Sequence, residues 1–224
     1  MLDILLFVVF PYAAVALAVI GTLYRYFTNQ YSFTSMSSQF LESDVQFWGS
    51  ILWHYGIIPT LFIHLAGFAI PKVMNALHST PETLYIAELM GKVLGIMALA
   101  GGVIMIIRRA TFSRIRVMTT KMDWVVLLLL TLQVFFGLWM AFGYRWGAIW
   151  FLHTATPWIV SLATFHPAPE FVSSLPWVIK LHFLNGFALV ALFPLSRLVH
   201  MTSFPVQYLW RRFQIVIWGR QKVR

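Results

Sequence analysis

The stretch LWHYGIIPTLFIHLAGF, residues 52–68, carries no Asp, Glu, Lys or Arg and contains two histidines, His54 and His64. The apolar run extends over residues 48–70 and is long enough to cross the roughly 30 Å hydrocarbon core of a membrane as one helix. The two histidines are ten residues apart, which corresponds to about 15 Å of helix rise. Ionisable side chains inside a membrane span are costly, so both are candidate functional residues.

The composition of the whole chain agrees with a membrane protein. Of its 224 residues, 60% are hydrophobic and only 10% are charged, whereas soluble domains are about one quarter charged. This excludes a disordered chain and almost any soluble enzyme. Four further stretches are apolar and long enough to span a bilayer, at residues 2–24, 84–107, 124–142 and 176–199. We therefore predict an all-α integral membrane protein, a five-transmembrane-helix bundle that forms one domain over residues 1–224.

The basic residues predict the topology. The net charge is +9, and Lys and Arg are concentrated after the third apolar stretch and in a short tail at about residues 201–224. Basic loops stay in the cytoplasm, so five spans with the N-terminus outside and the C-terminus cytoplasmic satisfy both clusters. The apolar stretch at residues 146–165, broken by Pro157, then becomes an interfacial or re-entrant outer segment. Since topology accounts for the charge, no nucleic acid partner is expected.

The same topology pairs the histidines of two spans. His182 lies in the fifth predicted span and His200 at its end, eighteen residues later, which is a whole number of turns and about 27 Å of straight helix. The second span runs outward and the fifth runs inward. His64 and His182 therefore share the outer half of the membrane, and His54 and His200 share the inner half.

Paired imidazoles on facing helices suit haem b, because an iron with two histidine ligands transfers electrons without binding substrate. The chain has no cysteine, which excludes iron–sulfur ligation and covalently attached c-type haem. We expect two haem b groups, the outer on His64 and His182 and the inner on His54 and His200. An alternative from another class is a transporter or a plain membrane anchor with structural histidines.

Small and charged residues of the spans also have predicted roles. Small residues on the second and fifth spans are expected to leave room for the haem macrocycle, and these are Gly49, Gly56, Ala66, Gly67, Gly186 and Ala188. Glycines of the third span are expected to serve close helix packing, and these are Gly91, Gly95, Gly101 and Gly102. Glu88 and Lys92 are placed to form an ion pair one turn apart. Haem propionates and lipid headgroups are both possible partners for the basic residues Arg108, Arg109 and Arg197.

The run LFPLSRLVH at residues 192–200, followed by FPVQYL at residues 204–209, resembles the gamma (cytochrome b) subunit of respiratory nitrate reductase. The two-histidine spacing of residues 52–68 and the stretch GGVIMIIRR at residues 101–109 are also similar to that family. The resemblance covers essentially the whole chain, and its four histidines match the ligand pairs given above.

The resemblance implies a multi-pass, di-haem protein of the cytoplasmic (inner) membrane. It implies quinol oxidation near the outer face, with electrons passing from the outer haem to the inner one. From there they would go to an iron–sulfur (beta) subunit and a molybdenum catalytic (alpha) subunit that reduces nitrate. Part of the docking surface for the iron–sulfur subunit is expected in the tail, at Trp210, Arg211 and Arg212.

One departure from the family concerns quinol. Relatives are expected to carry a quinol-binding lysine near the start of the third span, where this chain reads PETLY at residues 81–85, and Lys92 is about two turns deeper. We place the quinol pocket at His64 and Gly67, where an imidazole that ligates iron still has a second N–H to donate. A di-haem subunit of another molybdenum or iron–sulfur oxidoreductase, with a different donor or acceptor, remains an alternative.

Overall fold

The structure is a computed structural model that describes residues 1–34, 37, 38 and 40–203. In this part of the chain all regular structure is helical, and five helices are long and apolar enough to cross a membrane, as predicted. These helices are span 1 (Leu2–Thr28), span 2 (Asp44–Ala69), span 3 (Pro81–Thr111), span 4 (Lys121–Gly143) and span 5 (Trp177–Leu195). Shorter helices connect them at Pro71–Leu77, Ser113–Met118, Gly147–His153, Ala155–Ala163 and Glu170–Ser173.

Side-chain caps explain where three spans begin. Thr120 and Asp123 form a capping box at span 4, in which the Asp123 N–H donates to Thr120 Oγ1 (3.2 Å) and the Thr120 N–H donates to Asp123 Oδ2 (2.9 Å). Thr80 caps span 3. At span 2 the Glu42 carboxylate accepts two backbone N–H groups, at 2.6 and 3.2 Å. These acceptors satisfy N–H groups that have no partner within the helix itself.

The five spans pack as an open arc in the order 2, 3, 4, 5, 1. Spans 2 and 3 are in the closest contact, because glycines let their backbones approach. A Cβ atom on Gly56 would lie 2.5 Å from the Ala98 N, and one on Gly101 would collide with the backbone of Trp53. Within the described residues, spans 2 and 5 share no extensive contact. The two histidine-bearing spans therefore do not pack directly on each other.

The two ends of the bundle differ in character. The amino-terminal end, where the chain begins, is covered by two short helices, Gly147–His153 and Ala155–Ala163, which we call the cap helices. Trp158 of the second cap helix is 1% exposed, and its Nε1–H donates to the Phe7 carbonyl oxygen at 3.0 Å. The opposite end, which we call the basic end, holds Arg25, Arg108, Arg109 and Arg197.

The cap helices confirm that residues 146–165 do not form a sixth span, but they do not break where the sequence predicted. The break lies at Thr154 (φ −124°, ψ −68°), and Pro157 falls in the first turn of the helix that follows. Proline is tolerated there because the amides of a first helical turn have no partner within the helix.

Span 5 is shorter than predicted. Its α-helix is Trp177–Leu192, a 3₁₀ turn follows at Phe193–Leu195, and Ser196 is extended (φ −118°, ψ 179°) before a second 3₁₀ segment at Arg197–Ser203. Proline at position 194 has no N–H to continue the helical hydrogen bonds. His200 therefore lies beyond a break, and the prediction that it shares one straight helix of about 27 Å with His182 is wrong.

Candidate functional site: two pairs of histidines

The two histidines of span 2 are oriented by their own helix. His54 Nδ1 lies 2.7 Å from the Ser50 carbonyl oxygen, and His64 Nδ1 lies 2.8 Å from the Thr60 carbonyl oxygen. A carbonyl oxygen only accepts, so Nδ1 carries the proton in both rings. Each Nε2 therefore has a lone pair to offer a ligand. His54 is exposed and His64 is half-buried at the surface of the helix.

The histidines of span 5 and its extension show the same arrangement. His182 Nδ1–H donates to the Gln133 carbonyl oxygen at 3.1 Å, and His200 Nδ1–H donates to the Arg197 carbonyl oxygen at 2.6 Å. Histidines that bind metals commonly donate their second ring N–H to a carbonyl group, which fixes the tautomer and the ring orientation. His166 makes a similar bond, to Thr164, but it is exposed in a turn.

A polar cluster between spans 4 and 5 surrounds His182. The Gln133 amide donates to His182 Nε2 at 3.2 Å, and the Asn185 amide donates to Gln133 Oε1 at 2.7 Å. Gly137 makes room for the ring, since a Cβ atom there would lie 3.3 Å from His182 Cε1. Ligation of a metal at Nε2 would replace the bond from Gln133. No pattern in the sequence indicates a role for Gln133 or Asn185, because that role depends on contacts between two spans.

The predicted pairs lie at different levels of the bundle. His64 is on span 2 and His182 is on span 5, both in the halves of their spans that are farther from the basic end. His54 lies ten residues nearer than His64 to the basic end, and His200 lies beyond span 5 at that same end. Among the described residues, no group of three or more His, Asp or Glu side chains is placed to hold a bare metal ion. Haem needs only two axial ligands from the protein.

The small residues of the histidine spans have protein neighbours, contrary to most of the prediction. Gly49 and Gly56 pack on span 3, and Gly186 packs near the Gln133 amide. Ala188 lines an open apolar groove of about 380 Å³ between spans 1, 4 and 5. On span 3, close packing is confirmed for Gly95, Gly101 and Gly102 and is wrong for Gly91, which has nothing within 4 Å of a Cβ position.

Gly67, half of the predicted quinol pocket, lies directly under the cap helices. A Cβ atom there would be 2.5 Å from Phe151 Cε1, and Thr156 Oγ1 donates to the Gly67 carbonyl oxygen at 3.2 Å. Phe151 also packs edge-on against the His64 ring, with centroids 5.6 Å apart. Any ligand between His64 and Gly67 would therefore contact the cap helices.

Glu88 ties the cap helices to span 3. Its predicted ion pair with Lys92 is confirmed at 3.9 Å, and Glu88 Oε1 accepts the N–H groups of Trp146 and Gly147, the latter at 3.1 Å. Trp146 has a left-handed backbone (φ 65°), which is unfavourable for a bulky residue. The Glu88 carboxylate thus holds a strained turn at the start of the helix that carries Phe151.

The arginines of the basic end have different partners. Arg108 is 1% exposed, and its three nitrogens donate to Glu42 and Ser38, including a 2.5 Å bond to Glu42 Oε2. This leaves Arg108 no free nitrogen for a propionate, contrary to the prediction. Arg197 pairs with Asp123 at 3.0 Å. Arg109 Nε is buried without a hydrogen-bond partner, and Arg109 and Arg197 line a cavity of about 230 Å³.

Glu42 lies in the loop before span 2, outside the membrane spans, and its ion pair with Arg108 affects the pKa of its carboxyl group. Burial acts to raise the pKa of the Glu42 carboxyl, whereas the hydrogen bonds from Arg108 and two backbone N–H groups, and the Arg108 charge, lower it. The net result is a Glu42 pKa below its ordinary value. The carboxylate is therefore ionised at neutral pH and pins the loop before span 2 to span 3.

Five helices long and apolar enough to cross a membrane, two of them associated with two histidines each, define the class of polytopic helical membrane proteins. The chain belongs to the nitrate reductase gamma subunit family, which matches residues 3–219. It is therefore a subunit of an oxidoreductase complex.

The similarity to individual relatives extends along the chain. Over 218 residues it is 33% identical to the respiratory nitrate reductase 1 gamma chain of Escherichia coli, covering 96% of this chain and 97% of that one. It is 31% identical over 219 residues to the respiratory nitrate reductase 2 gamma chain of the same species, covering 96% of each. It is 31% identical to the nitrate reductase gamma chain of Bacillus subtilis, covering 92% of this chain and 94% of that one.

Proposed function

We propose that this chain is the membrane anchor and di-haem b electron-transfer subunit of a quinol-dependent respiratory nitrate reductase. One observation carries the proposal. All four candidate histidines donate Nδ1–H to a backbone carbonyl oxygen, so that each has an Nε2 lone pair for iron. Two of them lie on span 2, and the other two lie on or just after span 5.

His64 and His182 would hold the haem nearer the amino-terminal end, and His54 and His200 the haem nearer the basic end. Arg109 would bind a propionate at the basic end; its buried Nε lacks a hydrogen-bond partner and its side chain lines a cavity. When bound, the two haems would supply one-electron carriers between quinol and the iron–sulfur clusters of a partner subunit. A chain without cysteine cannot ligate such clusters itself.

Quinol would bind at the amino-terminal end, beside His64 and Gly67. The contacts of Phe151 with both residues support the first cap helix as one wall of that site. The His64 N–H is already donated to the Thr60 carbonyl oxygen at 2.8 Å. This N–H would therefore orient the imidazole. The sequence had instead suggested that it would donate to quinol.

The orientation and partners complete the proposal. The arginines of the basic end support a cytoplasmic location for that end and an outer location for the amino-terminus, in the cytoplasmic membrane. Docking to an iron–sulfur subunit, and through it to a molybdenum subunit, would then occur at the basic end. The predicted docking residues Trp210, Arg211 and Arg212 lie outside the described residues. The orientation is tested with the single substitutions His78→Cys and Lys121→Cys and a thiol reagent that does not cross the membrane. From outside the cell, only the cysteine at position 78 should react; reaction at position 121 would contradict the proposed orientation.

Haem counting in histidine variants tests the ligand pairs. His64→Ala and His182→Ala should each remove the same single b haem from the purified complex, and His54→Ala and His200→Ala the other one. His166→Ala is the matched control, because His166 also bonds a carbonyl oxygen but is exposed in a turn. Two haems retained in all four variants, or no haem in the parent protein, would contradict the proposal and return the histidines to a structural role.

A further inference from the structure

Span 1 carries no histidine, yet its basic end contacts the break in span 5. The turn at Phe193–Leu195 and the extended Ser196 take backbone carbonyl groups out of the helical hydrogen-bond pattern. Carbonyl groups without a donor are costly at membrane depth. A break at this point therefore needs donors from a neighbouring element.

Arg25 of span 1 supplies those donors. Its Nη1 donates to the Pro194 carbonyl oxygen at 2.6 Å and to the Ser196 carbonyl oxygen at 2.8 Å. Its Nε and Nη2 donate to Ser32, at 2.8 Å each, and the guanidinium carbon lies 5.6 Å from the centre of the Phe33 ring. The planar fork of a guanidinium group can hold acceptors on several sides in one orientation, which an ammonium group cannot do.

Gly21 shapes the same face of span 1. It lies four residues before Arg25, so both residues are on one side of the helix. A Cβ atom at Gly21 would be 2.8 Å from Pro194 Cγ. Span 1 thus has a notch for the proline ring and a guanidinium group for the carbonyl groups beside it.

The consequence of this contact falls on His200, four residues after Ser196. Val199 is fully buried, and Arg197 pairs with Asp123 of span 4 at 3.0 Å. The segment that carries His200 is therefore held by Arg25 on one side and by Asp123 on the other. A change at Arg25 would release the start of this segment while leaving His182 within the intact helix Trp177–Leu192.

We propose that Arg25 is a positioning residue for the haem at the basic end, because it binds the broken end of span 5 and thereby sets the place of His200. The proposal rests on the proposed function, since it assigns His200 as an iron ligand.

The test compares Arg25→Gln and Arg25→Lys with Arg114→Gln, which removes the same charge from an exposed arginine at the same end. Each is made in the full complex, and the two haems are counted separately from their low-spin electron paramagnetic resonance signals. A second readout needs no haem. The chain itself has no cysteine, so a spin label on Met201→Cys reports the mobility of the His200 segment once the signal of the identically treated complex without that substitution is subtracted.

We expect Arg25→Gln to lower the occupancy of the basic-end haem roughly twofold or more, because charge-assisted hydrogen bonds are lost, and to mobilise the label at position 201. The other haem should remain. Arg25→Lys restores the charge but not the fork, so it should rescue only in part. Arg114→Gln should change neither readout.

Three outcomes would overturn the inference: full rescue by lysine, which would indicate a charge or topology role alone; equal loss of both haems; or an unchanged label and unchanged haems in Arg25→Gln. A parent complex without haem would instead refute the proposed function. In that case the label would still show whether Arg25 holds the segment.

Discussion

At the scale of single residues, the four candidate histidines share a protonated Nδ1, and they differ from His166 in lying on or just after a membrane span. Helical histidines in a membrane bundle can serve packing alone, but all four here have Nδ1 committed to a carbonyl oxygen. For His54 and His64 the carbonyl group is four residues earlier in the same helix, so the helix itself sets the ring direction. For His182 it belongs to span 4. The sequence identified these residues, but it could not show where Nδ1 would find an acceptor.

Charged residues were harder to interpret from the sequence. Arg108 was predicted to bind lipid headgroups or haem propionates, but it binds Glu42 and backbone carbonyl groups of the loop before span 2. Arg25 likewise binds backbone carbonyl groups at the end of span 5. These carbonyl groups are 66 to 171 residues away along the chain. No local pattern predicts such contacts, because they depend on how the elements pack.

The ion pair between Glu42 and Arg108 predicts a pH dependence of stability. The pKa of Glu42 is lowered in the folded protein. The contribution of the pair is therefore complete above the ordinary glutamate pKa of about 4.3, and it is lost as the pH falls through the lower, folded pKa. As the pH is lowered below about 4, the thermal unfolding midpoint of the purified protein should decrease more steeply than that of the Glu42→Gln variant.

At neutral pH, Glu42→Gln should cost about 2 kcal/mol, because it weakens a charge-assisted bond to a buried guanidinium group. Glu82→Gln is the matched control, since Glu82 is exposed at the start of span 3. Identical acid profiles for Glu42→Gln and the parent protein would show that the pair does not control this transition.

At the scale of elements, hydrophobic length predicted all five spans, while the irregular segments departed from prediction. The break in span 5 follows from Pro194, which is visible in the sequence, but its effect on His200 depends on donors from span 1. The cap helices break at Thr154 rather than at Pro157 because a first helical turn accepts proline. Apolar length thus predicts the number of spans better than where each one bends.

Glu88 provides a prediction about the cap helices. Glu88→Ala removes the acceptor for the N–H groups of Trp146 and Gly147. Removing a helix-capping side chain typically lowers the free energy of unfolding by about 1 kcal/mol. We expect the helix that carries Phe151 to move relative to His64. The spectrum of the amino-terminal-end haem should change while the other haem is unaffected.

Glu88→Gln keeps an acceptor oxygen and should have a smaller effect than Glu88→Ala, and Glu82→Ala should have none. The apparent KM for a quinol analogue, measured from quinol-dependent reduction of the haems, should rise most in Glu88→Ala, less in Glu88→Gln and not at all in Glu82→Ala. An equal shift of both haems in Glu88→Ala would point to general destabilisation instead of a local contact.

At the scale of the whole molecule, the open arc explains why the histidines were predictable and their surroundings were not. Among the described residues, span 2 packs on span 3 and span 5 packs on spans 1 and 4, so the two histidine spans do not pack on each other. Their small residues were predicted to face a cofactor, but the most constrained, such as Gly56, serve contacts with adjacent spans. The pairing of residues by membrane depth needed only the topology, whereas the neighbours of each residue needed the packing.

The proposed function requires that electrons pass from quinol through two histidine-ligated haems of this chain. The most direct test is the reduced-minus-oxidised spectrum of the assembled complex, recorded after addition of a quinol analogue and again after nitrate. We expect two b haems per chain, both reduced by quinol and both reoxidised by nitrate. Two haems that quinol leaves oxidised, or that nitrate does not reoxidise, would contradict the donor or the acceptor, and a spectrum without haem would contradict the claim as a whole.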